Sequence, residues 1–229
     1  MVGLLVCFIC HLLLAVVAQQ TMTGIPISRV DYSFPLGNPS SMILVELTID
    51  LGCSNCMDAW PMLSEVVELY KEEVHFKIRI LPLPYHQQSF ILSKAASTVF
   101  YYKGDRAAID YMNNIMENQA LYYNSATADK TYNEVVRMVA EAATNGTDLS
   151  SEDFYEGMDA RTVAGNTIEM FTRYEWKYNV VHGQFGTPFY QINGLVVEGL
   201  QTVDQWKETL DPLVKTQRLV EAPKSTIYL

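Results

Sequence analysis

The sequence predicts an α/β protein in which helices flank a central sheet and an all-helical segment is inserted into the chain. Three observations indicate this class. Strand and helix patterns alternate over residues 42–102, residues 103–178 contain no convincing strand pattern, and the strand pattern returns after Gly186. The chain has 229 residues, of which 49% are hydrophobic, so it can bury a sizeable core as one domain with an insertion.

The first half of the predicted core follows an extended lead-in at residues 19–41, which is rich in Ser, Pro and Gly and contains a short edge strand around Val30–Phe34. The first core strand is β-branched and mostly apolar at both odd and even positions, which is typical of a strand covered on both faces. The elements that follow alternate between periods of two and 3.6 residues. They are a strand at Met42–Ile49, a helix from Ser54 to about Lys71 that Pro61 should kink, a strand at Val74–Pro82 and a helix at Gln87–Tyr102.

The insertion and the second half of the core are separated by turn residues. Helices are predicted at Asp105–Tyr123, Asp129–Thr144, Ser150–Asp159 and Thr162–Tyr178, with breaks at Gly104, around Asn124–Thr127 and at Asn145-Gly146. A hairpin then joins Pro188–Ile192 to Leu195–Glu198 through Asn193-Gly194, and a helix covers Val203–Lys215. We therefore divide the chain into a core at 42–102, an insertion at 103–178, a second core segment at 179–217 and a C-terminal tail at 218–229.

The N-terminus and the composition indicate where the protein works. Residues 1–18 resemble a signal peptide, because Val2–Ala18 is almost entirely apolar and small residues allow cleavage after Ala18. An uncleaved signal anchor is the alternative, although the run is short for a bilayer span. We expect no membrane span after cleavage, a secreted or endomembrane-lumen location, and glycosylation at Asn145 in Asn145-Gly146-Thr147. The net charge of −10 disfavours nucleic-acid binding.

The chemistry of the chain is expected at its cysteines. Cys7 and Cys10 leave with the signal peptide, so the mature chain keeps only Cys53 and Cys56. They lie where a strand meets a helix, and the helix N-terminus favours a thiolate. Cys53 is the candidate nucleophile, and Cys56, one turn deeper, could attack a mixed disulfide and release the partner.

Three other interpretations of the cysteine pair remain open. A purely structural disulfide would close a very small loop and contribute only about 2 kcal/mol in the chain-entropy model. A zinc site would need four ligands, and the chain has no second cysteine pair, so we expect no metal. Chance spacing is the third. A redox pair of this kind needs no added cofactor.

The late hairpin begins with a second candidate feature. Thr187-Pro188 precedes its first strand, and a cis proline there would leave the preceding backbone free to pair with an extended substrate. An ordinary turn proline is the alternative.

Taken in order, these motifs resemble the thioredoxin-like superfamily and, more closely, its DsbA-type thiol–disulfide oxidoreductases. The match covers roughly residues 42–217. The segments that carry it are Cys53-Ser54-Asn55-Cys56 after a buried strand, Trp60–Glu65 with Pro61, Leu81–His86, Gly186–Phe189 with Asn193-Gly194, and the helical segment 103–178.

The resemblance implies a thioredoxin-like fold with a mixed central sheet flanked by helices and an all-helical insertion. It also implies that Pro188 is cis and packs against the cysteine pair, and that Thr187 supplies backbone contacts to substrate. Cys53 would be the nucleophile and Cys56 the resolving thiol.

The chain departs from the pattern of that group at two places. Ser54-Asn55 carries no charged or imidazole group that would stabilise a thiolate further. Glu46, a candidate proton acceptor, lies seven residues before Cys53 where six is expected in that group. A slip of one residue reverses the face of a strand and would turn Glu46 away from Cys56. Asp50 is the other nearby carboxylate; we expect it to be a solvated loop charge, with proton acceptor as its alternative role.

The leading hypothesis is an enzyme that exchanges thiols and disulfides with protein substrates in an oxidising compartment. The alternative is a non-enzymatic protein-binding or chaperone-like module with a structural disulfide. Glutathione is a further candidate partner, through glutathione-linked chemistry on small molecules.

Overall fold

The computed structural model describes residues 31–221. The predicted signal peptide, with its cleavage after Ala18, lies outside these residues, as do much of the predicted lead-in and most of the predicted tail. The strands are β1 Phe34–Gly37, β2 Leu44–Ile49, β3 His75–Ile80, β4 Phe189–Ile192 and β5 Leu195–Val197. The helices are α1 Ser54–Tyr70, α2 Ser89–Glu117, α3 Tyr132–Asn145, α4 Ser151–Met158, α5 Val163–Val181 and α6 Val203–Glu221, with a 3₁₀ turn at Gln119–Tyr122.

The five strands form one mixed sheet in the order β1-β3-β2-β4-β5. β2 and β3 are parallel, and the other neighbouring pairs are antiparallel. β2 lies at the centre, and all of its residues after Leu44 are buried, as its mostly apolar and β-branched pattern predicts. Because β2 ends at Ile49, the chain leaves the sheet centre directly into the loop that carries the cysteine pair.

The elements predicted from the sequence are present with shifted ends. The edge strand is β1 at Phe34–Gly37, later than predicted, because Phe34 is the buried residue that pairs with Ile78 of β3. The predicted break at Gly104 is confirmed: its φ of 81° and ψ of −172° are not helical and divide α2 into two helical parts. α6 extends to Glu221, past the expected end at Lys215.

The insertion consists of helices that start with side-chain caps. Thr131 and Glu134 form a reciprocal capping box at α3, and the hydroxyls of Ser150 and Thr162 accept hydrogen bonds from first-turn amides of α4 and α5. α5 packs against both α2 and β3, which joins the insertion to the sheet. Within residues 31–221, none of the helices has the length and apolar character that crossing a bilayer would require.

Candidate active site

The cysteine pair begins helix α1. Cys53 is the N-cap residue, with extended backbone (φ −89°, ψ 122°), and its side chain makes no capping hydrogen bond. Its carbonyl accepts hydrogen bonds from the backbone N–H groups of Cys56 (3.0 Å) and Met57 (3.1 Å), so the helix starts at the reactive loop. The Cys53 sulfur therefore lies where unpaired amides and the helix dipole favour a negative charge.

The two thiols have opposite acidities. The hydrogen bond from Cys56 is the largest cause that lowers the pKa of Cys53 to about 5, the Thr187 hydroxyl and the Cys56 and Asn55 amides lower it further, and burial opposes them. Burial, followed by the hydrogen bond and the charge of Cys53, raises the pKa of Cys56 far above its ordinary value. At neutral pH the pair therefore holds one thiolate, at Cys53, and one thiol, at Cys56, because only Cys53 has a pKa below 7.

The start of β4 completes this site from the other end of the chain. The Thr187–Pro188 peptide bond is cis, the conformation that the resemblance implies. The Cys53 sulfur lies 3.6 Å from the carbonyl oxygen of Thr187, a contact between residues 134 positions apart. The Thr187 hydroxyl is buried and has no hydrogen-bond partner of ordinary geometry among the described residues, so it is free to donate to a thiolate.

Glu46 lies on the opposite face of the sheet from the cysteines. Leu47 pairs with Tyr190, and paired residues of antiparallel strands point to the same face. Tyr190 is on the cysteine face, because it packs on Trp206 of α6. Burial is the larger cause of its raised pKa, and Cys56 is the second cause. Since successive strand residues alternate, Glu46 points away from the pair.

On that opposite face, Glu46 belongs to a buried ion-pair network. Its carboxylate accepts from Arg79 Nε at 2.6 Å, and Arg79 Nη1 donates to Glu175 of α5 at 3.1 Å. The guanidinium carbon also lies 3.8 Å from the centroid of the Tyr178 ring. Sequence reasoning missed this network because its members are 33 and 96 residues apart. Arg79 therefore ties the insertion to the sheet through Glu175, with Glu46 as its partner within the sheet, and the structure does not bring Glu46 to the cysteines.

Asp50 is not the solvated loop charge that we expected. It is fully buried, because the loop after β2 folds beneath the segment that follows β3. Its carboxylate accepts from the backbone N–H of Gly52 (2.9 Å), the backbone N–H of Leu83 (3.1 Å) and His86 Nδ1 (2.6 Å). Its backbone contacts both cysteines: its N–H donates to Cys56 Sγ at 3.4 Å, and its carbonyl accepts from Cys53 N at 3.1 Å.

Two further residues at the site were not predicted as functional. His86 lies within the segment that carried part of the family resemblance, and that was the only signal for it. Gln119 belongs to the insertion, and its Nε2 donates to the carbonyl oxygens of Leu51 (2.9 Å) and Cys53 (3.0 Å). The insertion therefore holds the cysteine loop by direct hydrogen bonds, which no local sequence pattern could indicate.

A cavity of about 420 Å³ adjoins the cysteine loop. It lies between this loop, the start of α2 and the 3₁₀ turn, and it is lined by Gly52, Ser54, His86, Gln88, Ser89, Tyr122, Tyr123, Asn124 and Ser125. Ser89 is fully buried, and its hydroxyl has no hydrogen-bond partner among the described residues. The predicted glycosylation residue Asn145 lies elsewhere, exposed at the last residue of α3.

The comparisons with known proteins rest on structure. No protein-family model matches the sequence, and no curated protein matches it. Among solved structures, the thiol-disulfide exchange protein alpha-DsbA2 from Wolbachia pipientis superposes with a TM-score of 0.63 at 16% identity, over 79% of this chain and 87% of that one. BdbD from Bacillus subtilis superposes with a TM-score of 0.62 at 17% identity, over 80% and 94% of the two chains.

The fold is thioredoxin-like. A periplasmic thioredoxin-like protein from Salmonella enterica serovar Typhimurium is also similar, with a TM-score of 0.58 at 17% identity over 82% of this chain and 93% of that one. The predicted fold class is confirmed: a mixed sheet flanked by helices, with a helical insertion of the kind found in DsbA-type proteins. At these identities the likeness concerns the fold, and function has to be argued from the site.

Proposed function

We propose that this protein is a thiol–disulfide oxidoreductase that acts on protein substrates through Cys53 and Cys56. The observation that carries the proposal is the asymmetry of the pair. Cys53, with a pKa of about 5, is a thiolate at neutral pH, while its neighbour holds a proton. The pair also adjoins the cis Thr187–Pro188 bond, where the start of a strand can align an extended peptide. A structural disulfide would not need this difference between its two sulfurs.

The chemistry proceeds through a mixed disulfide. The Cys53 thiolate attacks one sulfur of a substrate disulfide, the substrate S–S bond breaks, and the second substrate sulfur leaves as a thiolate. Cys56 then loses its proton, and we propose Asp50 as the proton acceptor. The Cys56 thiolate attacks Cys53 Sγ. The substrate sulfur bound to Cys53 leaves, so the substrate gains two electrons and the pair is oxidised. Oxidation of a substrate dithiol is the same sequence reversed.

The low pKa of Cys53 favours this reverse direction. Lowering the pKa from 9.0 to about 5 stabilises the reduced pair relative to the disulfide. At pH 7 only the two units between 7 and 9 count, which is about 2.7 kcal/mol. For a two-electron couple this corresponds to a reduction potential about 60 mV higher than that of the same pair with an ordinary Cys53 pKa. We therefore propose that the oxidised protein accepts electrons from substrate thiols.

Substitution of each cysteine tests the function. Cys53→Ser should abolish exchange with a peptide disulfide, whereas Cys56→Ser should still attack it and remain trapped as a mixed disulfide, visible as a mass increase that reductant removes. An unreactive Cys53 in the wild-type protein would refute the proposal. Equilibration of the pair with glutathione gives the second measurement: a potential well below about −300 mV would indicate the alternative, a binding module with a structural disulfide.

We also propose that the protein works outside the cell or in the endomembrane lumen, after removal of residues 1–18. The sequence of the apolar N-terminus and the exposed position of Asn145 support this. Expression in a secreting eukaryotic cell should give a chain that begins at Gln19 and carries a glycan. Asn145→Gln should remove the mobility shift that an endoglycosidase causes, and a chain with an intact N-terminus and no glycan would contradict the assignment.

A further inference from the structure

Close packing determines the residue that precedes Cys53. The buried Ser89 hydroxyl occupies the space that a Cβ on Gly52 would need, and the Cβ of His86 lies 3.1 Å from the same point. Glycine is therefore the residue that fits here without displacing either neighbour. Because glycine has the most permissive backbone, this packing places a freely rotating link directly before the proposed nucleophile, unless another group fixes it.

The side chain of Gln119 holds the backbone on both sides of this glycine. Its Nε2 donates to the carbonyl oxygen of Leu51 at 2.9 Å and to the carbonyl oxygen of Cys53 at 3.0 Å. These two residues flank Gly52, so one planar carboxamide bridges the glycine. Gln119 is fully buried, so water does not compete for the two hydrogen bonds, which we call the Gln119 clamp.

Tyr123 fixes the orientation of this carboxamide. Its hydroxyl donates to Gln119 Oε1 at 3.0 Å. Carbonyl oxygens only accept hydrogen bonds, so the amide nitrogen has to face the cysteine loop and the amide oxygen has to face the tyrosine. Both residues belong to the helical insertion, at the 3₁₀ turn and directly after it. The insertion therefore supplies the clamp in a fixed orientation.

The Cys53 carbonyl shares one of its donors with the Cys53 sulfur. The oxygen accepts from the backbone N–H groups of Cys56 at 3.0 Å and Met57 at 3.1 Å, in addition to Gln119. The amides of Cys56 and Asn55 also lower the pKa of the Cys53 thiol through hydrogen bonds to its sulfur. Because Gln119 gives the oxygen a separate donor and fixes its direction, the sulfur keeps its share of the Cys56 amide.

We propose that Gln119 is a positioning residue for Cys53, because it holds the peptide units on both sides of Gly52 so that the Cys53 sulfur stays within reach of the first amides of α1. The inference rests on the proposed function only in naming Cys53 as the nucleophile. Without the clamp, the sulfur loses part of its hydrogen bonding from these amides. Since these donors stabilise the thiolate, the pKa of Cys53 should rise.

Gln119→Met tests the inference, because it removes both donors and keeps the length of the side chain. Asn179→Leu is the matched control: Asn179 is a fully buried carboxamide of α5, and its Nδ2 donates to the carbonyl oxygen of Ile80 at 3.0 Å. The control thus also removes a donor from a carbonyl of the sheet, but none from the cysteine loop. The measurement is the pH dependence of iodoacetamide alkylation at Cys53 in the reduced chain expressed from Gln19 onward, with urea unfolding of each variant.

In Gln119→Met we expect the inflection of the alkylation profile to rise by about one pH unit, from about 5 to about 6, which corresponds to the loss of about one ordinary hydrogen bond to the thiolate. Alkylation at pH 5 should then slow by about fivefold. Asn179→Leu should keep the wild-type inflection. A merely structural role of Gln119 would lower the urea midpoint and leave the inflection unchanged.

Tyr123→Phe gives a second reading if Gln119→Met does not fold. It keeps the Gln119 side chain but removes the hydroxyl that orients it, so the inflection should rise by a smaller amount. An unchanged inflection in whichever of the two variants folds, or an equal rise in Asn179→Leu, would overturn the inference. If the wild-type profile has its inflection near 5 but the protein forms no mixed disulfide with a peptide disulfide, the proposed function fails, and the alkylation profiles still decide the role of Gln119.

Discussion

Cys56 is the largest single cause of the low pKa of Cys53, so removing its S–H group should have a measurable effect. A hydrogen bond to a charged group contributes about 1.5–3 kcal/mol, and one pKa unit corresponds to about 1.4 kcal/mol. In Cys56→Ala the thiolate loses this donor while the Cys56 and Asn55 amides and the Thr187 hydroxyl remain. Because the charged form loses stabilisation, the pKa of Cys53 should rise by about one to two units, from about 5 to about 6–7.

The rate of alkylation by iodoacetamide measures this pKa, because only the thiolate reacts. In a Cys56 variant expressed from Gln19 onward, Cys53 is the only remaining cysteine, so the signal has one source. Cys56→Ser is the matched control, since its hydroxyl can still donate a hydrogen bond to the thiolate. Its inflection should therefore stay closer to that of the wild-type protein than the inflection of Cys56→Ala.

Two results would refute this reasoning. An inflection near 9 in the wild-type protein would show that the site does not stabilise the thiolate at all. An inflection that stays near 5 in Cys56→Ala would show that the helix N-terminus and the Thr187 hydroxyl are sufficient, and that the hydrogen bond between the two sulfurs contributes nothing.

Two further predictions concern stability. The pKa of Cys53 is lower in the folded than in the unfolded chain, so its contribution is complete above about pH 9 and is lost as the pH falls through about 5. The reduced protein should therefore gain stability over the oxidised protein by about 1.4 kcal/mol in free energy of unfolding for each pH unit between about pH 5 and pH 9. Urea unfolding of both forms at two pH values measures this difference. A difference that does not change with pH would contradict the lowered pKa of Cys53. Arg79→Met should destabilise the protein by about 3–5 kcal/mol in urea, because it removes the guanidinium that forms ion pairs with two buried carboxylates. Arg106→Met, which removes an exposed ion pair, should cost under about 1 kcal/mol, and equal effects of the two substitutions would contradict the structural role of Arg79.

The elements of this fold could be predicted from the sequence because local patterns determine them. The apolar run of β2, the alternation of β3 and the Asn193-Gly194 turn are each readable within a few residues. The ends of the strands and helices were less predictable, because tertiary packing determines them. For example, β1 begins where Phe34 pairs with Ile78 of β3. The conformation of Pro188 came from the resemblance alone, because nothing local distinguishes it from a turn proline.

The site was only half predictable for the same reason. The cysteines and the Thr187–Pro188 loop lie in recognisable motifs, and the structure brings them together. No motif indicates the long-range contacts that surround them. His86 reaches Asp50 across 36 residues, and Gln119 reaches the Cys53 carbonyl across 66, so their roles depend on how the chain folds back. Hydrogen bonds of this kind leave no periodicity in the sequence.

The two carboxylates show why spacing alone did not assign an acid to the site. A one-residue slip turns Glu46 to the α5 face, where it pairs with Arg79, which also binds Glu175 of the insertion. The carboxylate that we propose as the proton acceptor, Asp50, lies instead in the loop after β2, at a position that the strand pattern does not constrain. There Asp50 gains two amide donors and an imidazole, a set of partners that allows burial of a carboxylate.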